Sequence, residues 1–212
     1  MAGLGIDPQD FAVFDIDEPE ERADVLEQQV QPKLLALGGE ILGGLSRVAG
    51  KGLHAHLSRV TRRKEVAPGE VFVAFCESPR SLRGQPYLAL CLSRDQLHAR
   101  VVVRGDGGRV TAMRRALERE AGNLARKGKP FRKLRHYRDW DFEQLPEVAP
   151  AHSSAFWEEL AEGLAGAGHG QPPEMDVGVA WPRDEACSLA VGDVLGAFRD
   201  LAPLFKLLAN AQ

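Results

Sequence analysis

The spacing of hydrophobic residues along the chain changes twice, from helical to extended and back to helical. In the first third, apolar residues recur at steps of three and four over 23–34 and again over 41–48, which predicts two amphipathic helices. Pro32 is expected to kink or interrupt the first helix, because proline lacks a backbone N–H. The glycine pair 38–39 is expected to separate the two helices, and 53–60 is expected to form a further short helix.

The middle of the chain has the composition of β-strands. Three segments rich in β-branched and apolar residues, separated by turn residues, predict antiparallel strands over Glu70–Cys76, 86–92 and Gln96–Arg104. A tight turn near 93–95 is expected to join the second of these strands to the third. A helix is expected over 111–127, with Thr111 as its N-cap.

The last third returns to helical periodicity around one more extended segment. Ser153 or Ser154 is expected to cap a helix, and 175–181 is expected to form a strand. A final helix is predicted by the apolar stripe Val194, Phe198, Leu201, Phe205 and Leu208. This order of elements predicts an α+β fold. We expect a single domain over 1–212, with an antiparallel sheet of about four to six strands and helices packed from both the N- and C-terminal segments.

Composition indicates the class of protein but no particular chemistry. The 212 residues are 44% hydrophobic, enough for a sizeable core, and no apolar run approaches the ~18 residues that span a bilayer. The first residues lack the charged and apolar regions of a secretory signal. The three cysteines, Cys76, Cys91 and Cys187, have no CxxC spacing, which indicates reduced thiols. We therefore expect a cytoplasmic protein without a membrane partner, a metal or a cofactor.

Charge is distributed unevenly along the chain. The formal net charge of −3 divides into −6 over residues 1–58, +13 over 59–138 and −10 over 139–212. A strand-rich basic middle, about 66–140, therefore lies between two acidic helical ends. Such asymmetry bears on partners rather than on fold, and a basic middle favours a polyanionic partner. The alternative is that the acidic ends pack beside the basic middle and neutralise it.

The strongest basic signal is the stretch 126–140, RKGKPFRKLRHYRDW. Seven of the thirteen residues over 126–138 are Lys or Arg, none is acidic, and Phe131, Tyr137 and Trp140 stand among the cations or just after them. Cations neutralise phosphates and aromatic rings stack on bases, so this composition is typical of a nucleic-acid-binding surface. An ordinary solvated loop can have the same composition, and core or rim packing is the alternative role of Trp140.

We expect the basic residues of the middle to meet at one edge of the sheet and bind phosphate there. Arginine suits this role, because its planar guanidinium engages phosphate in a bidentate manner and stacks on bases. The predicted phosphate-binding residues are Arg59, Arg62, Arg63, Lys64, Arg80, Arg83, Lys129, Arg132, Lys133, Arg135, Tyr137 and Arg138.

Other polar arrangements in the sequence indicate structure more than chemistry. Asp15 and Asp17 would share a face of an extended segment and could bind a metal, but solvated acids before a helix N-terminus are expected there. His54 and His56 would point about 200° apart on a helix and so could not chelate one metal. The glycine turn 105–108 precedes a helix, as phosphate loops do, but lacks the G-x-G-x-x-G spacing and the Walker lysine.

Several segments together resemble one known family. They are FAVFDI over 11–16, QPKLLALG over 31–38, HLSRVTRR over 56–63, VFVAF over 71–75 and PRSLRGQPYLAL over 79–90. In this order they resemble the YktB-like family, small bacterial cytosolic proteins classed as a domain of unknown function. The resemblance implies a single α+β domain and no established activity. The family pattern has basic residues matching Arg62, Arg63, Arg80 and Arg83 but is not notably basic over 126–138.

We expect a polyanion-binding protein that binds DNA or RNA without reading the sequence, since no helix-turn-helix, zinc-finger or RNA-binding signature is present. One alternative is an enzyme acting on a small phosphorylated or carboxylated substrate, held by a clamp of Arg62, Arg80 and Arg83. Its candidates for acid, base or metal ligand are Asp15, Asp17, His56 and His136. No catalytic signature accompanies them. A second alternative is a protein-interaction module or homo-oligomer, and the oligomeric state stays open.

Overall fold

An antiparallel sheet of six strands organises the fold, with helices packed against one of its faces. In the computed structural model, the described residues are 3–60, 69–105, 107–137, 145–166 and 173–212. The strands within them are β1 His54–Leu57, β2 Glu70–Cys76, β3 Pro86–Ser93, β4 Gln96–Arg104, β5 Arg135–His136 and β6 Glu174–Pro182. Across the sheet they follow the order β1-β2-β3-β4-β6-β5.

Helices precede, interrupt and follow the strands. The α-helices of the described residues are α1 Pro8–Ala12, α2 Pro19–Val25, α3 Gln31–Ala49, α4 Gly108–Lys127, α5 Ser154–Gly163, α6 Arg183–Ala186 and α7 Val191–Ala209. Short turns of 3₁₀ helix follow α1 and α4, over Val13–Asp15 and Lys129–Phe131. A π-helical turn over Leu26–Val30 joins α2 to α3.

The strands of the middle form where the sequence predicts them. β2 and β4 have the predicted bounds, β3 is one residue longer, and Arg94 and Asp95 make the tight turn between β3 and β4. All strand pairs are antiparallel. The predicted α+β class and antiparallel sheet are therefore confirmed, and the division into one domain over 1–212 stays a prediction.

Alternation along the strands separates two faces of the sheet. On β2, Val71, Val73 and Phe75 point to the helices and are fully buried, whereas Phe72 and Ala74 point to the opposite face. α3 packs on β2, α7 lies across β3 and β4, and α5 contacts β6. Burial of each large apolar side chain contributes roughly 1.5–3 kcal/mol, so this helical layer is the main source of stability.

The first long helix passes through the predicted break. α3 continues across the glycine pair 38–39, because Leu37 and Ile41 continue one buried stripe on either side of it. The prediction that the glycine pair separates two helices is therefore wrong. Pro32 lies in the first turn of α3, where its missing N–H is tolerated, and the interruption expected at Pro32 takes the form of the preceding π-helical turn.

Two neighbouring glycines of α3 give a stability prediction. A methyl group at exposed Gly39 would meet no atom within 4 Å. We expect Gly39→Ala to raise the free energy of unfolding by about 0.5–1 kcal/mol, because glycine costs that much in a helix interior. Gly38→Ala is the matched control, since its Cβ would lie 2.9 Å from Val73 Cγ2 and cancel the gain. Urea unfolding measures both variants, and an equal gain would contradict close packing of α3 on β2.

β1 occupies the segment that was expected to form a short helix. His54 pairs with Cys76 and Leu57 with Val73 on β2, so that prediction is wrong. The physical reason is that backbone pairing with β2 outweighs the weak helical pattern of a four-residue segment. On the strand, His54 and His56 share a face, and His56 Nε2 lies 2.8 Å from Ser78 O.

Candidate functional site

The sheet separates the basic residues that were expected to meet at one edge. Arg59 follows β1 at one edge, whereas Lys129, Arg132 and Lys133 lie beside β5 at the other. Neighbouring strands are ~4.8 Å apart, which places β1 and β5 roughly 24 Å from each other. The expected continuous surface along one edge is thus not what the structure shows. Four predicted binding residues and the aromatic candidate beside them lie outside the described residues: Arg62, Arg63, Lys64, Arg138 and Trp140.

Arg80 and Arg83 lie on the loop between β2 and β3. Both are exposed, and their backbone N–H groups donate to the hydroxyls of Ser78 and Ser81 at 3.2 and 3.1 Å. Arg83 packs over Gly105, where a Cβ would lie 2.7 Å from Arg83 Cγ. The loop thus presents two cations at the end of the sheet opposite to Arg59.

The predicted basic stretch divides into exposed and structural residues. Lys129, Arg132 and Lys133 are exposed on the turn after α4. The buried ring of Phe131 anchors this turn, and its centre lies 5.0 Å from the centre of the Trp157 ring. Arg135 is half-buried, and its guanidinium donates to the carbonyl of Pro146. Three of these cations are therefore available to a ligand, while Arg135 holds a neighbouring segment.

Tyr137 belongs to the interior. Its side chain is buried, its hydroxyl lies 3.3 Å from His98 Nδ1, and Arg100 Cζ lies 5.1 Å from the centre of its ring. Burial raises the pKa of Tyr137 above its usual range and keeps the phenol neutral. A ring in this position has no free face for a base, which corrects the expectation that Tyr137 stacks on nucleic acid.

Two open grooves run along α7, one on each side. The groove between α4 and α7 has a volume of about 710 Å³, and the groove between α3 and α7 has a volume of about 660 Å³. Pro203 and Lys206 line both grooves, so both open on the outward side of α7. α7 is therefore the common wall of one surface that spans three helices.

The charged residues that line these grooves are almost all cations. Glu120 is the one acidic side chain among them, and it accepts a hydrogen bond from Asn123 at 2.6 Å. Glu120 also lies 3.8 Å from Arg119 Nε, whereas no described carboxylate forms an ion pair with the other five cations. The six cations, called the cationic face below, are Arg47, Arg115, Arg119, Lys127, Arg199 and Lys206.

The sheet carries a buried ion-pair cluster on the face opposite to the helices. Arg100 on β4 is its centre and is only 2% exposed. Its guanidinium donates to Asp176 Oδ2 at 3.1 Å and to Glu70 Oε2, and its N–H groups also contact Cys91 Sγ at 2.7 and 3.2 Å. A second donor, Arg104, lies 3.3 Å from the same Asp176 oxygen. One guanidinium therefore joins β2, β3, β4 and β6.

Burial determines the protonation of this cluster. It raises the pKa of Asp176 to about 7, even though two guanidinium groups favour the carboxylate. Asp176 Oδ1 has no hydrogen-bond partner among the described residues. Burial also raises the pKa of Cys91 to about 12, so Cys91 is a neutral thiol that accepts hydrogen bonds rather than a reactive thiolate.

A hydrogen-bonded chain of polar residues lies beside the cluster. Ser93 Oγ is 3.0 Å from His98 Nε2, and His98 Nδ1 faces the hydroxyl of Tyr137. Burial lowers the pKa of His98 well below its usual value and keeps the imidazole neutral. A serine beside a histidine is the arrangement of a nucleophile and its base. Ser93 and His98 are both 0% exposed, however, so this chain satisfies buried polar groups rather than facing a substrate.

The described residues contain no group of three or more side chains that could bind a metal ion together. None of their helices has the length and hydrophobicity to cross a membrane.

Comparison with known proteins identifies a family without an assigned activity. One relative is a UPF0637 protein of Bacillus velezensis, 32% identical over 92 residues, which are 43% of this chain and 44% of the relative. UPF0637 proteins of Bacillus thuringiensis and Bacillus anthracis are each 32% identical over 83 residues, 39% of this chain and 40% of theirs. The chain thus matches less than half the length of these relatives. A family model for a domain of unknown function, DUF1054, matches residues 7–203, and the chain belongs to this bacterial family, as its resemblance to an uncharacterised family predicts.

Proposed function

We propose that this protein binds nucleic acid through the cationic face without reading its sequence. The observation that carries the proposal is the charge of the two grooves, which are lined by six cationic side chains and one acidic side chain. The phosphate backbone attracts such a surface at any sequence. Lys129, Arg132 and Lys133 follow α4 shortly after Lys127 and are exposed, although they line neither groove.

The described acidic side chains of the last third lie outside the two grooves. α7 belongs to the acidic last third, yet it contributes exposed Arg199 and Lys206 to the grooves. Asp200 of the same helix lines neither groove. Other acids of that third, Glu158 and Glu162, lie on α5, which packs against α4 and β6. The cations therefore keep an open surface on which charge can attract a polyanion.

The alternative of a small-substrate enzyme has less support in the described residues. Asp15 Oδ1 lies 3.2 Å from Arg94 Nε at the turn between β3 and β4, whereas Arg80 lies at the opposite end of β3. His136 packs edge-on against Phe156, with ring centres 5.8 Å apart. Asp15 and His136 thus lie away from the loop of Arg80 and Arg83, which His56 contacts through Ser78 O.

Removal of three groove cations is expected to weaken binding strongly. We expect Arg115→Ala/Arg119→Ala/Lys206→Ala to lower affinity for labelled DNA or RNA at least about 10-fold at about 50 mM salt. The dependence of log K on log salt should also fall by about 2–3, since each neutralised phosphate contributes about 0.7–0.9. Fluorescence anisotropy titrated across salt measures both quantities.

The matched control removes three exposed cations from other parts of the surface. Arg59→Ala/Arg80→Ala/Arg83→Ala changes the net charge by the same amount as the groove variant. Its affinity is expected to stay within about 3-fold of that of the unmodified protein. An equal loss of affinity in the two triple variants would show that the binding site is not the cationic face. Absence of any binding by the unmodified protein at about 20 mM salt would overturn the proposed function.

A further inference from the structure

We infer that the ligand of the cationic face is a double-stranded nucleic acid, with one phosphate strand following each groove. This ligand class rests on the nucleic-acid binding proposed above and specifies it. The relevant observation is that cations lie on both sides of α7, with Lys206 shared between the two grooves.

The α4 side presents a row of polar and cationic side chains that is inclined to the helix axis. Arg115, Arg119, Asn123 and Lys127 follow each other at steps of four residues and all line the same groove. At a rise of ~1.5 Å per residue, neighbours in this row are ~6 Å apart and the whole row is ~18 Å long. Phosphates of one strand recur every ~3.4 Å along a duplex axis, so the row can follow several phosphates of one strand.

The groove between α3 and α7 supplies the second set of cations. Arg47 and Arg199 line the groove between α3 and α7, and no carboxylate lines it. α3 and α7 approach closely, because a Cβ at Gly44 would lie 2.9 Å from Leu195 Cδ2. Packed helices are ~8–10 Å apart, which separates the axes of α3 and α4 by roughly 16–20 Å. A duplex presents two phosphate strands on either side of a major groove ~12 Å wide. Two separated sets of cations fit this pattern better than they fit a single strand.

The grooves also lack the stacking surfaces that single strands require. No aromatic residue lines either groove. Phe131 in the basic turn, Trp157 in contact with it and Tyr137 shortly after the turn are buried. Stacking contributes about 1–3 kcal/mol per base in single-strand-binding proteins. A surface with cationic but no aromatic side chains favours a ligand whose bases are already paired and stacked.

The test compares a duplex with its single strands and removes cations from one side at a time. We expect DNA and RNA duplexes of about 20 base pairs to bind at least about 10-fold more tightly than either single strand at about 100 mM salt. Arg115→Ala/Arg119→Ala and Arg47→Ala/Arg199→Ala should each lower the salt slope for the duplex by about 1.8, which corresponds to two phosphate contacts. Anisotropy measures the affinities.

Each outcome separates the ligand class from nucleic-acid binding itself. Two results would overturn the duplex ligand and leave nucleic-acid binding intact. One is equal or tighter binding of single strands, and the other is an unchanged salt slope for duplex binding in Arg47→Ala/Arg199→Ala. No binding of any nucleic acid would overturn the proposed function and this inference together. Loss of slope in both double variants, with duplex preference, is the supporting result.

Discussion

Replacement of Arg100 by methionine is expected to lower the free energy of unfolding by about 3–5 kcal/mol, because it leaves buried carboxylates without their cation. Asp176 and Glu70 both accept hydrogen bonds from the Arg100 guanidinium, and Asp176 is 3% exposed. Methionine fills a similar volume, so the loss measures the missing charge more than a cavity. Chemical denaturation followed by circular dichroism gives the free energy of unfolding.

Arg104→Met is the matched control for this variant. Arg104 also donates to Asp176 but has a side chain that is 44% exposed, so its loss should cost about 1 kcal/mol or less. An equal cost for both variants would mean that Arg100 is not desolvated in solution.

The cost of Arg100→Met should also depend on pH. Burial already raises the pKa of Asp176 to about 7, and removal of a neighbouring cation raises it further. A carboxyl whose folded pKa exceeds its unfolded value contributes stability that is lost as pH rises through the folded pKa. The gap between Arg100→Met and the unmodified protein should therefore widen from about pH 5.5 to about pH 8. A gap that narrows over this range would contradict the assignment of Asp176 as a carboxyl with a raised pKa.

The parts of the fold that could be predicted from sequence are those where local pattern and tertiary packing agree. β2 and β4 are rich in β-branched residues and are bounded by turns, and both ends were predicted to the residue. β1 has only four residues and no alternating pattern, so its pairing with β2 decides its structure. The glycine pair of α3 shows the same limit, because a continuous buried stripe outweighs a local helix-breaking signal.

The cationic face could not be predicted from sums of charge along the chain. Arg199 and Lys206 lie in a segment whose net charge is −10, and only the packing of α7 between α3 and α4 brings them to Arg47 and Arg115. The available signal was the repeat of cations at steps of four along α4, which places them on one side of a helix. Exposure of the predicted basic turn followed from its composition, whereas the burial of Tyr137 depends on the sheet.

The ion-pair cluster had a weaker signal. His98 and Arg100 alternate with apolar residues on β4, which marks one face of the strand as polar. The partners of Arg100, Glu70 and Asp176, lie 30 and 76 residues from it, so only the strand order brings these three side chains together.

Gly178→Ala is expected to lower the free energy of unfolding by about 3 kcal/mol, the upper end of the usual range for an overpacked interior. Gly178 lies at the centre of β6, opposite Arg100 on β4 and Arg135 on β5. A Cβ there would overlap the carbonyl oxygen of Ala99 and lie 2.8 Å from the Cα of Arg100. Both are backbone atoms, so no side-chain rotation relieves the overlap and the strands must move apart. Thermal and urea unfolding measure the loss.

Gly39→Ala makes the same chemical change with the opposite expected sign, because the site on α3 is open and helical. A difference of about 3.5–4 kcal/mol between the two variants therefore isolates the effect of close strand packing from that of the added methyl group. Separation of β4 from β6 would also lengthen the contact between Arg100 and Asp176, two residues before Gly178. Gly178→Ala should consequently reduce the further cost of Arg100→Met when the variants are combined. Full additivity of the two losses would show that the ion pair does not depend on this strand contact.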